Sequence, residues 1–338
     1  MGIKAFITGV EGTSLNSDER SFLDHEHPWG LILFARNIED PKQVHRLVDG
    51  FRDAVGRGDA PVFVDQEGGR VQRLRPPHWY TYATGAALGA LWDHNKKLGA
   101  EMIYTHSRLI AHDLHAVGIN VDCLPCIDVP VPGGHDVIGD RAYSTNAEDV
   151  ATIGRIACEG LMAGGVLPVI KHIPGHGRAG ADSHKELPEV HASHDELTRS
   201  DFIPFKRLND MPMAMTAHVR YHALDTQAPA TTSPFVISKI IREEIGFNGL
   251  LMSDDLSMQA LEGDFAHRTD ACFGAGCDLV LHCNGVLKEM DEIASVCRVL
   301  EDEALERAEA TTALFSEPDE IDVDALRARY REILEPVA

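Results

Sequence analysis

A closed barrel of eight parallel strands alternating with helices is the fold this sequence predicts, on three observations. Eight short apolar runs are separated by stretches in which apolar residues recur at helical spacing. Most of those runs have a polar or charged residue at or just after their end. No Pro/Ser-rich linker or break in composition divides the 338 residues, and a barrel of this kind routinely exceeds ~200 residues as one domain. A doubly wound sheet would satisfy the first observation equally. The second favours the barrel, because there every C-terminal strand end opens onto one face.

The strand runs are residues 5–8, 30–34, 61–64, 120–125, 167–172, 213–218, 249–253 and 278–283. Helices are expected over 40–55, 88–116, 147–163, 194–208, 234–245, 258–275 and 287–315, with a further terminal helix over 320–334. Three starts carry capping signals: Asp40 before Pro41, Ser193 three residues before Glu196, and Ser233 before Pro234. The whole chain, 1–338, reads as a single α/β domain of the TIM-like (β/α)8 type with a helical tail from about 320.

Composition narrows the partners. Hydrophobic residues at 44% and charged residues at 25% are ordinary for a globular protein, so disorder is not indicated. Fifty-three acidic against 31 basic residues leave a net charge of −22, which disfavours nucleic acid and anionic membrane and suits a neutral small molecule. The opening MGIKAFITGV lacks the pattern of a signal peptide, and no apolar run approaches a membrane span. Seven scattered cysteines point to reduced thiols in a cytoplasm, with Cys123 and Cys126 read as two residues of a buried strand end.

The organising stretch is 166–190, VLPVIKHIPGHGRAGADSHKELPEV. Its apolar start ends on Lys171-His172, and a loop with Pro174, Gly175, Gly177 and Gly180 follows, whose glycines permit unusual backbone conformations and movement. In an extended segment Asp182 and His184 point to one side, so the carboxylate can fix the imidazole tautomer, as a general acid or base needs. A lone Asp-x-His in a loop is more often solvated than catalytic, and its weight comes from the other strand ends: Asp65, Asp128, His218, Asp254-Asp255 and His282-Cys283-Asn284.

Alternation sends Asp254 and Asp255 in different directions, one toward the barrel axis and the other toward the wall or a helix cap. A carboxylate facing the axis, with a separate acid, is the equipment for glycoside hydrolysis. Residues 65–73, DQEGGRVQR, follow another strand; their acids and guanidinium groups can fork onto vicinal hydroxyls, or form an ion-pair cluster within the loop. No phosphate-binding glycine fingerprint is present in that segment. Asp140-Arg141 reads, taken alone, as a surface pair.

KHIPGHG, four residues, then DSH; SDDLSM after a strand; DQEGGRVQRL after another; GDR; and AGCDLVLHC together resemble glycoside hydrolase family 3. Within it, the chain is similar to the single-domain bacterial β-N-acetylglucosaminidases of peptidoglycan recycling. The resemblance implies Asp254 as the nucleophile of a covalent glycosyl-enzyme, with His184 as acid/base and Asp182 as its dyad partner. It implies Asp65, Arg73, Arg141, Lys171 and His172 as sugar contacts, with His218 near the site. The implied reaction is retaining release of terminal N-acetylglucosamine from muropeptide fragments in the cytoplasm, without a metal or organic cofactor. An imidazole with an ordinary pKa near ~6.5 suits the acid role near neutrality.

Three other readings stand beside this one. His172, His176, Asp182, His184 and His218 offer donors for a metal-dependent barrel hydrolase. A β-glucosidase or phosphorylase fits the same scaffold, and a sugar-binding relative without turnover is a different class altogether.

Overall fold

The computed structural model describes residues 2–133, 136–183 and 185–334. Eight parallel strands close into a barrel whose order around the ring is their order along the chain. They are β1 (Lys4–Thr8), β2 (Pro28–Leu33), β3 (Val62–Val64), β4 (Val121–Asp122), β5 (Leu167–Ile173), β6 (Met213–Thr216), β7 (Leu250–Asp255) and β8 (Leu279–His282). Closure is made by β1 against β8, with Phe6 opposite Val280 and Thr8 opposite His282. Each of the eight expected runs overlaps a barrel strand. Their near-continuous apolar character follows from burial on both faces, by side chains inside and helices outside. Cys123 and Cys126 are buried free thiols beyond β4, as read from the sequence.

The helices agree in place and differ in extent. Asp40 caps Pro41–Val55 through Gln43, Ser193 and Glu196 form a capping box, and Ser233 Oγ accepts from the Val236 N–H. The expected helix over 88–116 is two, Gly85–His94 and Lys96–His115, broken at Asn95, whose side chain accepts from the Leu98 N–H. Those over 194–208 and 287–315 are also split, the latter into Leu287–Val296 and Asp302–Thr312. Between that last pair the chain returns beneath β1, where the Leu300 N–H donates to the Ile3 carbonyl. The helix expected from 258 starts only at Phe265, behind Asp264 as its cap. At Asn95 and Asp264 a short polar side chain takes a backbone partner that the apolar spacing does not reveal.

One helix escapes the periodicity altogether. Ser17–Glu26 is only weakly apolar, and its signal is the box in which the Asn16 side chain accepts from Asp18 and Glu19 N–H groups while Glu19 reaches back to the Asn16 N–H. The 234–245 helix is π-helical over Val236–Glu244. Among the described residues no helix is long and apolar enough to cross a membrane.

The last helix, Val323–Leu334, packs on Lys96–His115. Arg327 pairs with Asp113 at 2.7 Å, and Tyr330 Oη accepts from the Ala83 N–H and donates to His106 Nδ1. His106 Nε2 in turn donates to the Glu67 carbonyl at 3.1 Å, so a buried neutral imidazole ties this helix to the loop after β3.

Two glycines test how tightly the helices sit. A Cβ on Gly89 would lie 1.6 Å from the Tyr143 carbonyl oxygen, whereas one on Gly274 would meet nothing within 4 Å. Gly89→Ala is expected to lower stability by about 1–3 kcal/mol, and Gly274→Ala to raise it by about 0.5–1 kcal/mol through backbone entropy. Urea unfolding midpoints of the two variants check both signs.

Candidate active site

At the C-terminal face of the barrel lies a cavity of about 250 Å3. Ile32, Met215 and Leu281, from β2, β6 and β8, supply apolar lining, and Phe34, just past β2, lies under the Arg73 guanidinium. The alternate-strand origin of the three aliphatic side chains matches the layered filling of such barrels. The polar walls come from the ends of β3, β5 and β7, the loops beyond them and the loop after β4.

One wall is a chain of alternating charges. Lys171, at the end of β5 and 1% exposed, has its ammonium 2.8 Å from Asp65 Oδ1 and 2.6 Å from Glu67 Oε1. Arg73 holds the other oxygen of Asp65 at 2.9 Å, and Arg141 grips Glu67 with two bonds of 2.9 and 2.8 Å. Burial alone would neutralise these groups. Against that, Lys171 and Arg73 hold the Asp65 carboxyl far below its ordinary range, while Arg141 and Lys171 bring Glu67 down to about 2. Lys171 is raised correspondingly by the two carboxylates, against its desolvation. The wall therefore stays fully ionised.

The hairpin carrying these acids is Gln66–Gly68 against Val71–Gln72, turned through Gly68 and Gly69, both at positive φ. A Cβ at Gly68 would meet the Ala83 carbonyl at 2.1 Å, so close approach demands glycine there. The Gly139-Asp140-Arg141 segment divides its charges: Asp140 makes the outward pair with Arg70 at 2.8 Å, and Arg141 lines the cavity.

A second wall is organised by Asp128, a fully buried residue that no motif marks as a site residue. Its carboxylate accepts from His172 Nδ1 at 2.7 Å and from the backbone N–H groups of His172 and His176 at 3.2 and 2.6 Å. Those bonds keep Asp128 ionised despite burial. They also fix the His172 ring, with Nδ1 turned to the wall and Nε2 left for the cavity. His176, buried with no partner for Nδ1 among the described residues, is pushed down to about 4 by desolvation.

Asp254 sits at the end of β7, 7% exposed and lining the cavity. Burial raises its pKa, but His218, His172 and the Asp255 N–H outweigh this and leave it below the ordinary carboxylate value. Asp255 is turned to the loop, accepting from the Ser257 N–H and hydroxyl and from the Cys283 N–H. Both carboxylates reach the cavity wall, but Asp255 is already engaged by these three donors, whereas Asp254 accepts only from the Asp255 N–H among the described residues. His218 does not line the cavity. It stands behind Asp254, Nδ1 on Thr231 Oγ1 at 2.7 Å and Nε2 on the Asp255 carbonyl at 3.1 Å.

Asp182 and Ser183 line the same cavity, and the Ser183 carbonyl accepts from the Ala260 N–H. His184 lies outside the described residues. The loop that carries them is anchored at its base. Tyr221 Oη donates to the Gly175 carbonyl at 2.7 Å, Arg178 pairs with Asp201 at 2.6 Å, and a Cβ on Gly177 would meet the Val129 carbonyl at 2.1 Å. These glycines are used for close packing at the loop's base. Of the donor set for a metal hydrolase, only His172 belongs to a group close enough to share an ion among the described residues, with Cys126 and Asp128, and Asp128 is already committed to backbone donors.

Eight strands, with ionised carboxylates and fixed cations around a cavity at their C-terminal ends, define a barrel hydrolase of the glycosidase kind. The chain belongs to the family described as the glycosyl hydrolase family 3 N terminal domain, which it matches over residues 5–313, and it is a glycoside hydrolase. It is 40% identical over 280 residues to a beta-hexosaminidase of Alkalilimnicola ehrlichii, covering 82% of this chain and 79% of that one. The barrel superposes on native NagZ from Neisseria gonorrhoeae with a TM-score of 0.87 at 30% identity, covering 99% of this chain and 98% of that chain. NagZ from the same organism in complex with N-trifluoroacetyl-D-glucosamine matches with the same TM-score and identity, over 99% of each chain.

The charged walls set how the fold responds to mutation and to acid. Lys171→Met leaves Asp65 and Glu67 facing each other without their shared cation, and should cost about 3–5 kcal/mol at pH 7 in urea unfolding. Acid should act in two stages. Unfolded, His106 and His176 take up protons below their ordinary 6.5, but folded only below about 4, so stability falls as pH drops between those values. Glu67 adds a second loss between its ordinary 4.5 and about 2. Unfolding free energies at pH 7, 5 and 3 should decrease in that order. Within its own window, each group that is protonated only in the unfolded chain removes about 1.4 kcal/mol for every pH unit of acidification.

Proposed function

We propose that this protein is a retaining exo-β-N-acetylglucosaminidase that removes terminal N-acetylglucosamine from muropeptide fragments in the cytoplasm, as part of cell-wall recycling. The observation that carries the reading is Asp254: a buried, ionised carboxylate facing a cavity that Asp65, Arg73, Arg141, Lys171 and His172 also line. In support, the relatives are beta-hexosaminidases, and one similar structure holds N-trifluoroacetyl-D-glucosamine.

In this mechanism Asp254 attacks the anomeric carbon as the bond to the leaving oxygen breaks, and His184, oriented by Asp182, gives that oxygen its proton. His184 then takes a proton from water, which attacks the same carbon and releases Asp254. Asp65, kept ionised by Lys171 and Arg73, accepts hydrogen bonds from sugar hydroxyls; Arg73, Lys171 and Arg141 donate, and His172 offers Nε2, the ring nitrogen not committed to Asp128. His218 braces Asp254 from behind, its ring fixed by Thr231 and the Asp255 carbonyl.

The test is hydrolysis of an aryl N-acetyl-β-glucosaminide, with the aryl β-glucoside as control and a chelator present. Wild type should cleave only the acetamido sugar, Asp254→Ala should lose roughly 10³-fold or more in kcat, and His184→Ala should lose far more on a natural disaccharide than on the activated phenol. Full activity in Asp254→Ala would overturn the site assignment. Product formed only with phosphate would replace hydrolysis by phosphorolysis, and turnover abolished by chelator would favour the metal-dependent reading.

A further inference from the structure

Outside the cavity, a two-stranded parallel ribbon joins the loop after β5 to the loop after β6, with Glu189 opposite Arg220 and Val190 opposite Tyr221. The His222 N–H donates to the Val190 carbonyl, carrying the register one residue further. Side chains alternate along such a ribbon. Val190 and Tyr221 are therefore buried on the inner face, and Glu189, His191, Arg220 and His222 meet on the outer one.

The outer face gathers a carboxylate and two imidazoles. His222 Nε2 is 3.2 Å from Glu189 Oε2, His191 Nε2 is 3.8 Å from the same oxygen, and the three donor atoms of the group lie within 4.8 Å of one another. The two rings stack at 4.2 Å with 19° between their planes. Tetrahedral zinc with bonds of about 2.0–2.2 Å places its ligand atoms about 3.3 Å apart. The side chain of His191 is 72% exposed, so its ring can turn to aim a nitrogen at an ion without disturbing the core.

We propose that Glu189, His191 and His222 form a binding site for a divalent transition-metal ion of the zinc class, with the remaining positions taken by water. Two neutral imidazoles and a carboxylate are a known zinc donor set. The ion would staple together the two loops that the ribbon joins. Its mechanical consequence reaches Asp182, because Tyr221 on the ribbon's inner face holds the Gly175 carbonyl at one end of that residue's loop and Glu189–Val190 forms the other. Arg220, paired with the second oxygen of Glu189, opposes the ion by charge and competes for its ligand.

The site stands independently of the sugar chemistry, and its test reads metal directly. Zn2+ alone is titrated calorimetrically into the full chain, and Co2+ is followed by its visible absorption, for wild type, His191→Ala, His222→Ala, Arg220→Gln and Asp182→Asn. Wild type should bind with a tetrahedral cobalt spectrum, each histidine variant should lose at least tenfold in affinity with unchanged thermal stability of the metal-free form, and Arg220→Gln should bind more tightly. Asp182→Asn should bind like wild type. Equal affinity in wild type and both histidine variants, or binding lost only in Asp182→Asn, would overturn the proposal, the latter by placing the metal in the barrel cavity. Hydrolysis by metal-free His191→Ala should match that of the wild type.

Discussion

The buried ammonium of Lys171 is the interaction on which the site depends. Enclosing a lysine costs several kcal/mol unless opposite charge meets it at close range, and two carboxylates do so here, each held from behind by an arginine. The resulting row, Arg73–Asp65–Lys171–Glu67–Arg141, stitches the hairpin after β3, the strand β5 and the loop after β4 into one wall. Each member has its partner fixed before any sugar arrives, so little reorganisation remains to be done on binding. The row carries one excess positive charge inside a molecule of net charge −22. Local pairing, rather than the overall field, decides what this cavity attracts.

The same logic separates neighbours in sequence. Asp254 and Asp255 are adjacent carboxylates that both line the cavity, yet three donors from the neighbouring loops occupy Asp255 and leave Asp254 the freer of the two. Asp128, fully buried, and Asp65, partly exposed, are both ionised, yet the first is consumed by the backbone and ring of β5 and its loop, while the second remains at the cavity surface.

How much of this is legible in the sequence depends on the range of the interactions. The barrel is readable because strand burial is written locally, as apolar runs ending on polar residues. Capping at Asp40, Ser193 and Ser233 is readable for the same reason. The breaks at Asn95 and before Phe265 are not, since an apolar stripe continues across them and a single side-chain bond decides. The helix Ser17–Glu26 offers only its capping box. Asp128 can be seen as a strand-end acid, but its pairing with His172 crosses from the end of β4 to β5. Glu67 lies within the DQEGGRVQR segment, yet its union with Arg141 joins residues 74 apart in sequence. His218 is placed near the site by resemblance, and only the fold shows that it meets Asp254 from behind.

The link from Tyr330 through His106 to Glu67 bears on the order in which the molecule assembles. Its contacts span 224 and 247 residues of chain, far more than those between successive barrel strands. Barrel closure spans more still, from Phe6 to Val280, and every such contact closes a large loop. The back of the charged wall is therefore held only once the C-terminal helix has docked on Lys96–His115.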